Sequence, residues 1–114
     1  MDSKVALITG ASSGIGAATA VHFAKSGYKK LVLVARREQR LLEVKQECLA
    51  KGAKVVLVLT KDLSKPEENN EESIIKATID HFGRLDIVIA NAGMSSYVSA
   101  RYSVKYKILI ILND

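Results

Sequence analysis

The sequence is poor in the residues that mark several classes of protein. Its 114 residues include one cysteine, Cys48, which excludes a disulfide framework within the chain and favours a reducing compartment. Aromatic residues make up 5% and tryptophan is absent, so there are too few rings for a surface on which nucleic-acid bases stack. No apolar run approaches the roughly 18 residues of a membrane-spanning helix. The apolar run at residues 5–8 is also too short for a signal peptide, so a cytoplasmic protein without a membrane span is expected.

Charge and size set two further bounds. The formal net charge is +5, but the positive residues are scattered rather than gathered in a stripe. This distribution favours an anionic small ligand over nucleic acid. With 48% hydrophobic residues, the chain is expected to form one domain with a packed core.

Apolar runs alternate with helical patterns along the chain. Four runs rich in Val, Ile and Leu have the continuous apolar character of buried parallel strands: residues 4–9, 31–34, 54–60 and 85–90. Helices are predicted between them, at residues 15–26, at residues 38–51 and from the segment 64–66 onward. They are expected to end at glycines: Gly27, Gly52 and Gly83. The pattern predicts an α/β fold, a Rossmann-type doubly wound parallel sheet with right-handed crossovers. The expected strand order is 3-2-1-4, an incomplete version of that fold.

The helical patterns also predict which side chains face the sheet. In the second helix the inner stripe is Leu41, Val44 and Cys48, so Cys48 is interpreted as a small core residue rather than a redox group. In the third helix four apolar residues share the inner face: Ile74, Ile75, Ile79 and Phe82.

A glycine-rich turn joins the first predicted strand to the first predicted helix. In this turn Gly10 tolerates a positive φ, Gly14 lets a diphosphate approach the backbone, and Gly16 lets the helix lie close to the sheet. The N–H groups and positive dipole end of the helix then face an anion, and Ser12 and Ser13 add hydroxyl donors.

The spacing of these glycines is G-x-x-x-G-x-G. It differs from the generic dinucleotide fingerprint G-x-G-x-x-G, and no Gly-Lys-Ser/Thr follows as in a Walker A loop. An ordinary β–α turn without a ligand is the alternative.

The string Thr-Gly-Ala-Ser-Ser-Gly-Ile-Gly at residues 9–16 resembles the short-chain dehydrogenase/reductase family. Asp62-Leu63 after the third strand and Asn91-Ala92-Gly93 after the fourth extend the resemblance over about residues 4–93. Members of this family are Rossmann-fold oxidoreductases that use NAD(H) or NADP(H). The resemblance implies that the parent protein transfers a hydride between the nicotinamide and a carbonyl or alcohol.

The resemblance also implies roles for several residues. The turn residues Gly10, Ser12, Ser13, Gly14, Ile15 and Gly16 would bind the cofactor. Asp62 would accept a hydrogen bond from the adenine amino group, and Leu63 would line the ring; the alternative for Asp62 is a loop residue before a helix. Asn91, Ala92 and Gly93 would hold the central sheet together and line the ribose side, although Ala90 stands where many members carry a second Asn.

Two arginines follow the second predicted strand. In a Rossmann unit this strand end lies beside the adenosine ribose, where a carboxylate would select NAD. Arg36 and Arg37 stand there instead, and guanidinium groups suit bidentate phosphate contacts. The sequence therefore predicts NADP as the cofactor, with NAD less favoured, and Arg36 as the main determinant. The alternative is that both arginines are solvated residues at a helix start.

The catalytic residues of the family are not found in the chain. The family uses Tyr-x-x-x-Lys, a Ser and usually an Asn, but Tyr97 is followed at that spacing by Arg101 and Tyr102 by Tyr106. No catalytic residue and no metal ligand is therefore assigned. Asn113 lies near the expected place of the family's Asn, and the alternative is a truncated or foreign tail.

These observations predict two regions. Residues 1–93 would form the NAD(P)-binding Rossmann part, and residues 94–114 a divergent tail, with the catalytic half missing and the fourth strand left as an exposed edge. The expected function is that of an NADP(H)-binding N-terminal fragment. The alternative is a truncated, non-catalytic isoform that acts as a binding or oligomerisation module.

Overall fold

The computed structural model describes residues 3–12, 14–62, 71–91 and 108–112. The elements in chain order are β1 (Val5–Thr9), α1 (Gly14–Lys25), β2 (Lys30–Ala35), α2 (Glu38–Ala50), β3 (Val55–Thr60), α3 (Glu71–Phe82), β4 (Ile87–Ala90) and β5 (Leu109–Leu112). All strand pairings are parallel, and the order across the sheet is β3-β2-β1-β4-β5. The predicted α/β class and the order 3-2-1-4 are confirmed.

The fifth strand corrects one expectation. The sequence predicts that β4 is an exposed edge, and this is wrong, because β5 pairs with it from Ile87↔Leu109 to Ala90↔Leu112. The Leu109 N–H also donates to the Asp86 carbonyl at 2.9 Å, which extends the pairing by one residue. A run of Ile and Leu readily forms a strand that hydrogen-bonds to the unpaired backbone groups of an open sheet edge. The edges of the described sheet are therefore β3 and β5.

The sheet is covered on both faces. Alternate residues of β1 point to opposite sides: Ala6 and Ile8 join one buried cluster, Val5 and Leu7 the other, and all four are fully buried. The first cluster contains the inner residues of α1 and α2, and the second contains those of α3. Burial on both faces explains why β1 is continuously apolar instead of alternating.

The predicted inner faces of the helices are confirmed. In α2, Leu41, Val44 and Cys48 are fully buried. In α3, Ile74 and Ile75 are fully buried, and Ile79 and Phe82 pack against their cluster. The predicted opening of this helix near residues 64–66 lies outside the described residues. The three predicted helix ends are also confirmed, since each glycine has a positive φ: Gly27, Gly52 and Gly83.

Cys48 has the environment of a core residue. Burial, followed by the negative charge of Glu47, raises the pKa of its thiol to about 11. With this pKa the Cys48 thiol stays protonated at neutral pH. Because the thiolate is the reactive form, Cys48 is unreactive there. Within the described part of the chain, no helix is both long and apolar enough to cross a membrane.

Asp86 ties the amino-terminal ends of β1 and β4 together. Its Oδ2 accepts a hydrogen bond from the Val5 N–H at 2.8 Å and another from Arg84 Nε at 2.9 Å. Its Oδ1 accepts from Arg84 Nη2 at 2.5 Å. Partial burial by itself raises the pKa of Asp86, but the hydrogen bonds from Arg84 and Val5 outweigh it, so the pKa is lowered from 3.8.

We expect Asp86 to stabilise the fold in a pH-dependent way. Because its pKa is lower in the folded chain, the stabilisation is present above pH 4 and is lost as the pH falls through the folded value. Asp86→Asn should lower the free energy of unfolding by about 1 kcal/mol at pH 7. Urea unfolding of both chains at pH 7 and near pH 2.5 measures this, and the two curves should approach each other in acid. A difference that stays constant with pH would contradict the assignment.

Candidate functional site

The carboxyl ends of four parallel strands meet along one edge of the sheet. The pairs Thr9↔Val34 and Ala35↔Thr60 place the ends of β1, β2 and β3 side by side. The chain crosses from β1 to β2 on one side, and β4 lies on the other side of β1. Ligands of open α/β sheets bind in the crevice at such a reversal of strand order.

The glycine-rich loop lies at this crevice. Gly10 has a φ of 64°, as the sequence predicts for a sharp turn, and Gly14 has a positive φ as well, 38°. A Cβ added to Gly14 would meet no atom within 4 Å, so the backbone at the start of α1 is open to a ligand. Ile15 is 67% exposed beside it. The start of α1, which has free N–H groups and the positive end of the helix dipole, thus borders an open space.

Gly16 has a different role from Gly14. A Cβ on Gly16 would overlap the carbonyl oxygen of Gly10 and would lie 2.7 Å from its carbonyl carbon. Both are backbone atoms, so no side-chain rotation relieves the overlap. The absence of a side chain at Gly16 therefore allows the close approach of α1 to the loop, whereas the sequence predicts a close approach to the sheet.

Hydrogen bonds hold this loop to the second β–α unit. The Ala11 N–H donates to the Val34 carbonyl at the end of β2, at 3.1 Å. Arg40 Nε, from the first turn of α2, donates to the Ser12 carbonyl, also at 3.1 Å. Ser12 is 7% exposed, so the residue predicted to offer a hydroxyl is mostly buried in the loop.

Asn91 connects the ends of β1 and β4. Its N–H donates to Thr9 Oγ1, and its side-chain Nδ2 donates to the Thr9 carbonyl, both at 2.9 Å. Thr9 is fully buried, so these bonds lie at the floor of the crevice. This geometry agrees with the predicted role of Asn91 in holding the central sheet together.

The two arginines lie at the far side of the crevice. Arg36 follows the last residue of β2, and Arg37 is the N-cap residue of α2. Both are exposed, and the side chain of Arg37 makes no capping hydrogen bond to the helix. The first turn of α2 is therefore bordered by two positive charges.

Eight of the predicted binding residues lie at or next to this edge of the sheet: Gly10, Ser12, Gly14, Ile15, Gly16, Asn91, Arg36 and Arg37. Asp62, partly buried, follows β3 at the same edge. The predicted residues Ser13, Leu63, Ala92 and Gly93 lie outside the described residues, as do Tyr97, Tyr102 and Asn113. Sequence reasoning missed Arg40, because no local pattern pairs it with a carbonyl 28 residues away.

A glycine-rich loop at the strand-order reversal of a parallel sheet, followed directly by a helix start, defines a Rossmann-type nucleotide-binding fold. The sequence matches the short chain dehydrogenase family over residues 4–107. The chain belongs to this family of oxidoreductases.

Relatives and solved structures agree with this assignment. An 11-beta-hydroxysteroid dehydrogenase of Pinus massoniana is 46% identical over 94 residues, which are 82% of this chain and 26% of that protein. An uncharacterized oxidoreductase of Staphylococcus epidermidis is 48% identical over 92 residues, 81% of this chain and 37% of that protein. The chain thus spans between a quarter and two fifths of the length of these curated relatives.

Two solved structures share the fold. The apo form of glucose dehydrogenase of Caenorhabditis elegans superposes with a TM-score of 0.77 at 33% identity, covering 97% of this chain and 54% of that one. L-Sorbose reductase from Gluconobacter frateurii, complexed with NADPH and L-sorbose, has a TM-score of 0.71 at 41% identity. The match covers 84% of this chain and 35% of that one. Two further structures with this fold, a xylitol dehydrogenase and a metagenomic short-chain oxidoreductase, were solved with NAD⁺ and with NADP respectively, so NAD(P) is the cofactor class of the group.

Proposed function

We propose that this chain binds NADP(H) at the carboxyl edge of its sheet. The diphosphate lies over the start of α1, and the 2′-phosphate of the adenosine ribose lies against Arg36, with Arg37 beside it. Asp62 accepts from the adenine amino group, and Asn91 borders the nicotinamide-side ribose. Ser13, Leu63, Ala92 and Gly93 complete the proposed site.

The observation that carries this proposal is the open backbone at Gly14. A loop that is packed tightly at Gly16, yet leaves free space above Gly14, is shaped to receive a group that contacts main-chain N–H atoms. An anion is the group that such N–H atoms and the helix dipole attract. A β–α turn without a ligand does not require both tight packing at Gly16 and free space at Gly14.

The preference for NADP(H) has its own support in the start of α2. A helix N-terminus is stabilised by a side-chain cap and by negative charge, whereas Arg37 supplies neither. Arg36 adds a second positive charge beside it. Glu38 places one negative charge in the first turn of α2, but the cation at the N-cap position still opposes the helix dipole. A bound phosphate would offset this opposition, which favours a ligand role over simple solvation.

The activity of the whole protein is a further part of the proposal. We infer that a longer parent protein transfers a hydride between NADP(H) and a carbonyl or alcohol substrate. Residues 1–93 supply the cofactor-binding part, and the Tyr-x-x-x-Lys pair comes from elsewhere in the parent. These 114 residues by themselves are expected to bind cofactor without turnover. A reducing, cytoplasmic setting, supported by the single buried cysteine, belongs to the same proposal.

A titration of the unmodified chain tests this function. NADPH, NADH and ADP-ribose are added separately, and binding is followed by calorimetry or by nicotinamide fluorescence. A charge-assisted phosphate contact contributes about 1.5–3 kcal/mol, so NADPH should bind roughly 10- to 100-fold more tightly than NADH. Equal affinities would refute the cofactor preference, and binding of neither dinucleotide would refute the site.

A second candidate, a non-catalytic module that pairs with another chain, is favoured by the edge strand β5. Leu109 and Ile111 are 60% and 43% exposed, and they pair with Ile87 and Ile89, so they continue an apolar face of the sheet. Size-exclusion chromatography of the chain, alone and mixed with a longer relative, separates the two candidates. A complex that Ile111→Lys abolishes would support the module, and a monomer under both conditions would count against it.

A further inference from the structure

We propose that the edge strand β5 pairs with β5 of a second copy of this chain, in an antiparallel arrangement centred on residue 110. The inference rests on the second candidate function above, a module that pairs with another chain, and adds the identity of the partner and the register of the pairing. It does not depend on cofactor binding. Its basis is the pattern of backbone hydrogen bonds between β5 and β4, together with the exposure of two apolar side chains.

The outer edge of β5 carries backbone groups that β4 does not use. β5 is the last strand on its side of the described sheet. The Leu109 N–H donates to the Asp86 carbonyl, so the backbone groups of Leu109 face β4. Successive residues of a strand present their N–H and C=O groups to opposite sides, so those of Ile110 face away from β4. The backbone groups of Ile108 and Leu112 share this outward direction, since these residues lie two positions to either side.

A second copy of β5 offers the complementary groups at the matching spacing. In an antiparallel pair, directly opposite residues either exchange two hydrogen bonds or exchange none, and the two kinds of pair alternate. Centring the pair on Ile110 sets Ile110 opposite its own counterpart and sets Ile108 opposite Leu112 of the other copy. All of these outward pairs then exchange hydrogen bonds, about six in all. Centring it one residue earlier or later leaves fewer outward residues of the described strand opposite one another.

The same register brings the exposed apolar side chains of β5 together. Leu109 and Ile111 are 60% and 43% exposed, and their partners in β4 are Ile87 and Ile89, which belong to one buried cluster. A twofold axis perpendicular to the sheet continues this face across both copies and sets Leu109 of one copy opposite Ile111 of the other. Pairs of this kind exchange no hydrogen bonds and have the closer side chains. The contact is self-complementary, so it closes with two copies.

β5 lacks the features that keep sheet edges apart. Lysine, proline or a bulge on an edge strand normally prevents pairing between edges. Residues 108–112 are Ile-Leu-Ile-Ile-Leu, without charge or proline. Each residue of β5 has one partner in β4, so the strand has no bulge. The edge is therefore open to a strand of the same chemistry, and a second copy supplies that strand.

Sedimentation equilibrium of the unmodified chain tests the inference. One strand pair is smaller than a standard protein interface, so the dissociation constant of the dimer is expected to be on the order of 10–100 μM. The expected result is a change in mass from one chain to two across this range of concentration. A single chain at concentrations well above the range, or an open-ended series of larger assemblies, would overturn the inference.

A charge exchange tests the register. Leu109→Glu with Ile111→Lys sets a carboxylate opposite an ammonium group of the other copy, whereas Leu109→Lys with Ile111→Lys sets ammonium groups opposite each other. The first double variant should dimerise on the order of 10-fold more tightly than the second. If Leu109 lay opposite Leu109 of the other copy, both variants would repel, so equal dissociation constants would overturn the proposed register.

Val55→Lys is the matched control. Val55 is 42% exposed on β3, the other edge strand of the described sheet, so a lysine there should leave the dissociation constant unchanged. Loss of the dimer in this variant would place the contact at β3 and overturn the inference.

Circular dichroism with thermal unfolding shows that each variant is folded. If a double variant does not fold, Ile110→Pro decides, because proline removes an outward N–H and leaves the hydrogen bonds to β4 in place. Loss of the dimer in this folded variant supports the inference, and an unchanged dimer overturns it. A monomer that binds NADPH would overturn this inference and leave the proposed cofactor site intact, whereas a dimer that binds no dinucleotide would refute the cofactor site and support the pairing.

Discussion

Replacing Gly16 by alanine is expected to lower the free energy of unfolding by about 3 kcal/mol, because the new methyl group overlaps backbone atoms. The Cβ would lie 2.7 Å from the carbonyl carbon of Gly10, and closer still to its oxygen. Either α1 or the loop must move away, which opens the packing of α1 against β1. Urea unfolding followed by circular dichroism measures the loss, and dinucleotide binding should fall with it.

Gly14→Ala is the matched comparison, since it adds the same methyl group two residues earlier. Nothing lies within 4 Å of that Cβ, so the cost to folding is limited to the positive φ of 38°. That cost is on the order of 1–2 kcal/mol. Binding, in contrast, should be lost almost completely, because the methyl group occupies the space proposed for the diphosphate. If Gly16→Ala were no more destabilising than Gly14→Ala, the close approach of α1 to the loop would not be required for folding.

Arg36→Asp is expected to reverse the cofactor preference. The dissociation constant of NADPH should rise by roughly 10- to 100-fold, since one charge-assisted bond to the 2′-phosphate is lost and a repulsive charge is gained. NADH should bind at least as well as before, because a carboxylate at this strand end can accept from the ribose 2′-hydroxyl. Parallel titrations of the two dinucleotides measure both changes. A loss of affinity that is equal for both would contradict the assignment.

Arg37→Asp should separate stability from binding. Aspartate is a favourable N-cap and complements the dipole, so we expect the unliganded chain to gain about 1 kcal/mol. The same substitution should weaken NADPH, because the second positive charge is removed. Thermal unfolding without and with NADPH shows both effects in one experiment. A variant that is less stable than the unmodified chain would show that Arg37 supports α2 in some other way.

The sequence predicts the sheet well because its strands are local and strongly apolar. The runs that became β1 and β2 are buried on both faces, and this burial is what their uninterrupted Val, Leu and Ile content indicates. The inner faces of α2 and α3 are predicted equally well, because their apolar residues recur at the period of a helix. The right-handedness of the crossovers and the short connections between strands and helices then restrict the order of the strands in the sheet.

The features that the sequence did not predict depend on contacts between distant residues. The strand β5 is an example, because a short run of Ile and Leu fits a helix or a strand until a partner edge is known. The hydrogen bond between Arg40 and Ser12 is another, since it joins residues 28 positions apart. Periodicity and turn chemistry describe neighbours along the chain and do not encode such pairs.

The two hydrogen bonds between Asn91 and Thr9 have a consequence for the motions of the crevice. Asn91 follows the last residue of β4, a position where a main-chain amide would ordinarily exchange with solvent within seconds to minutes. Here that amide donates to a fully buried hydroxyl, so its hydrogen should exchange as slowly as those inside the central strands. The ends of β1 and β4 at the base of the crevice are then held rigid by bonds within the chain itself.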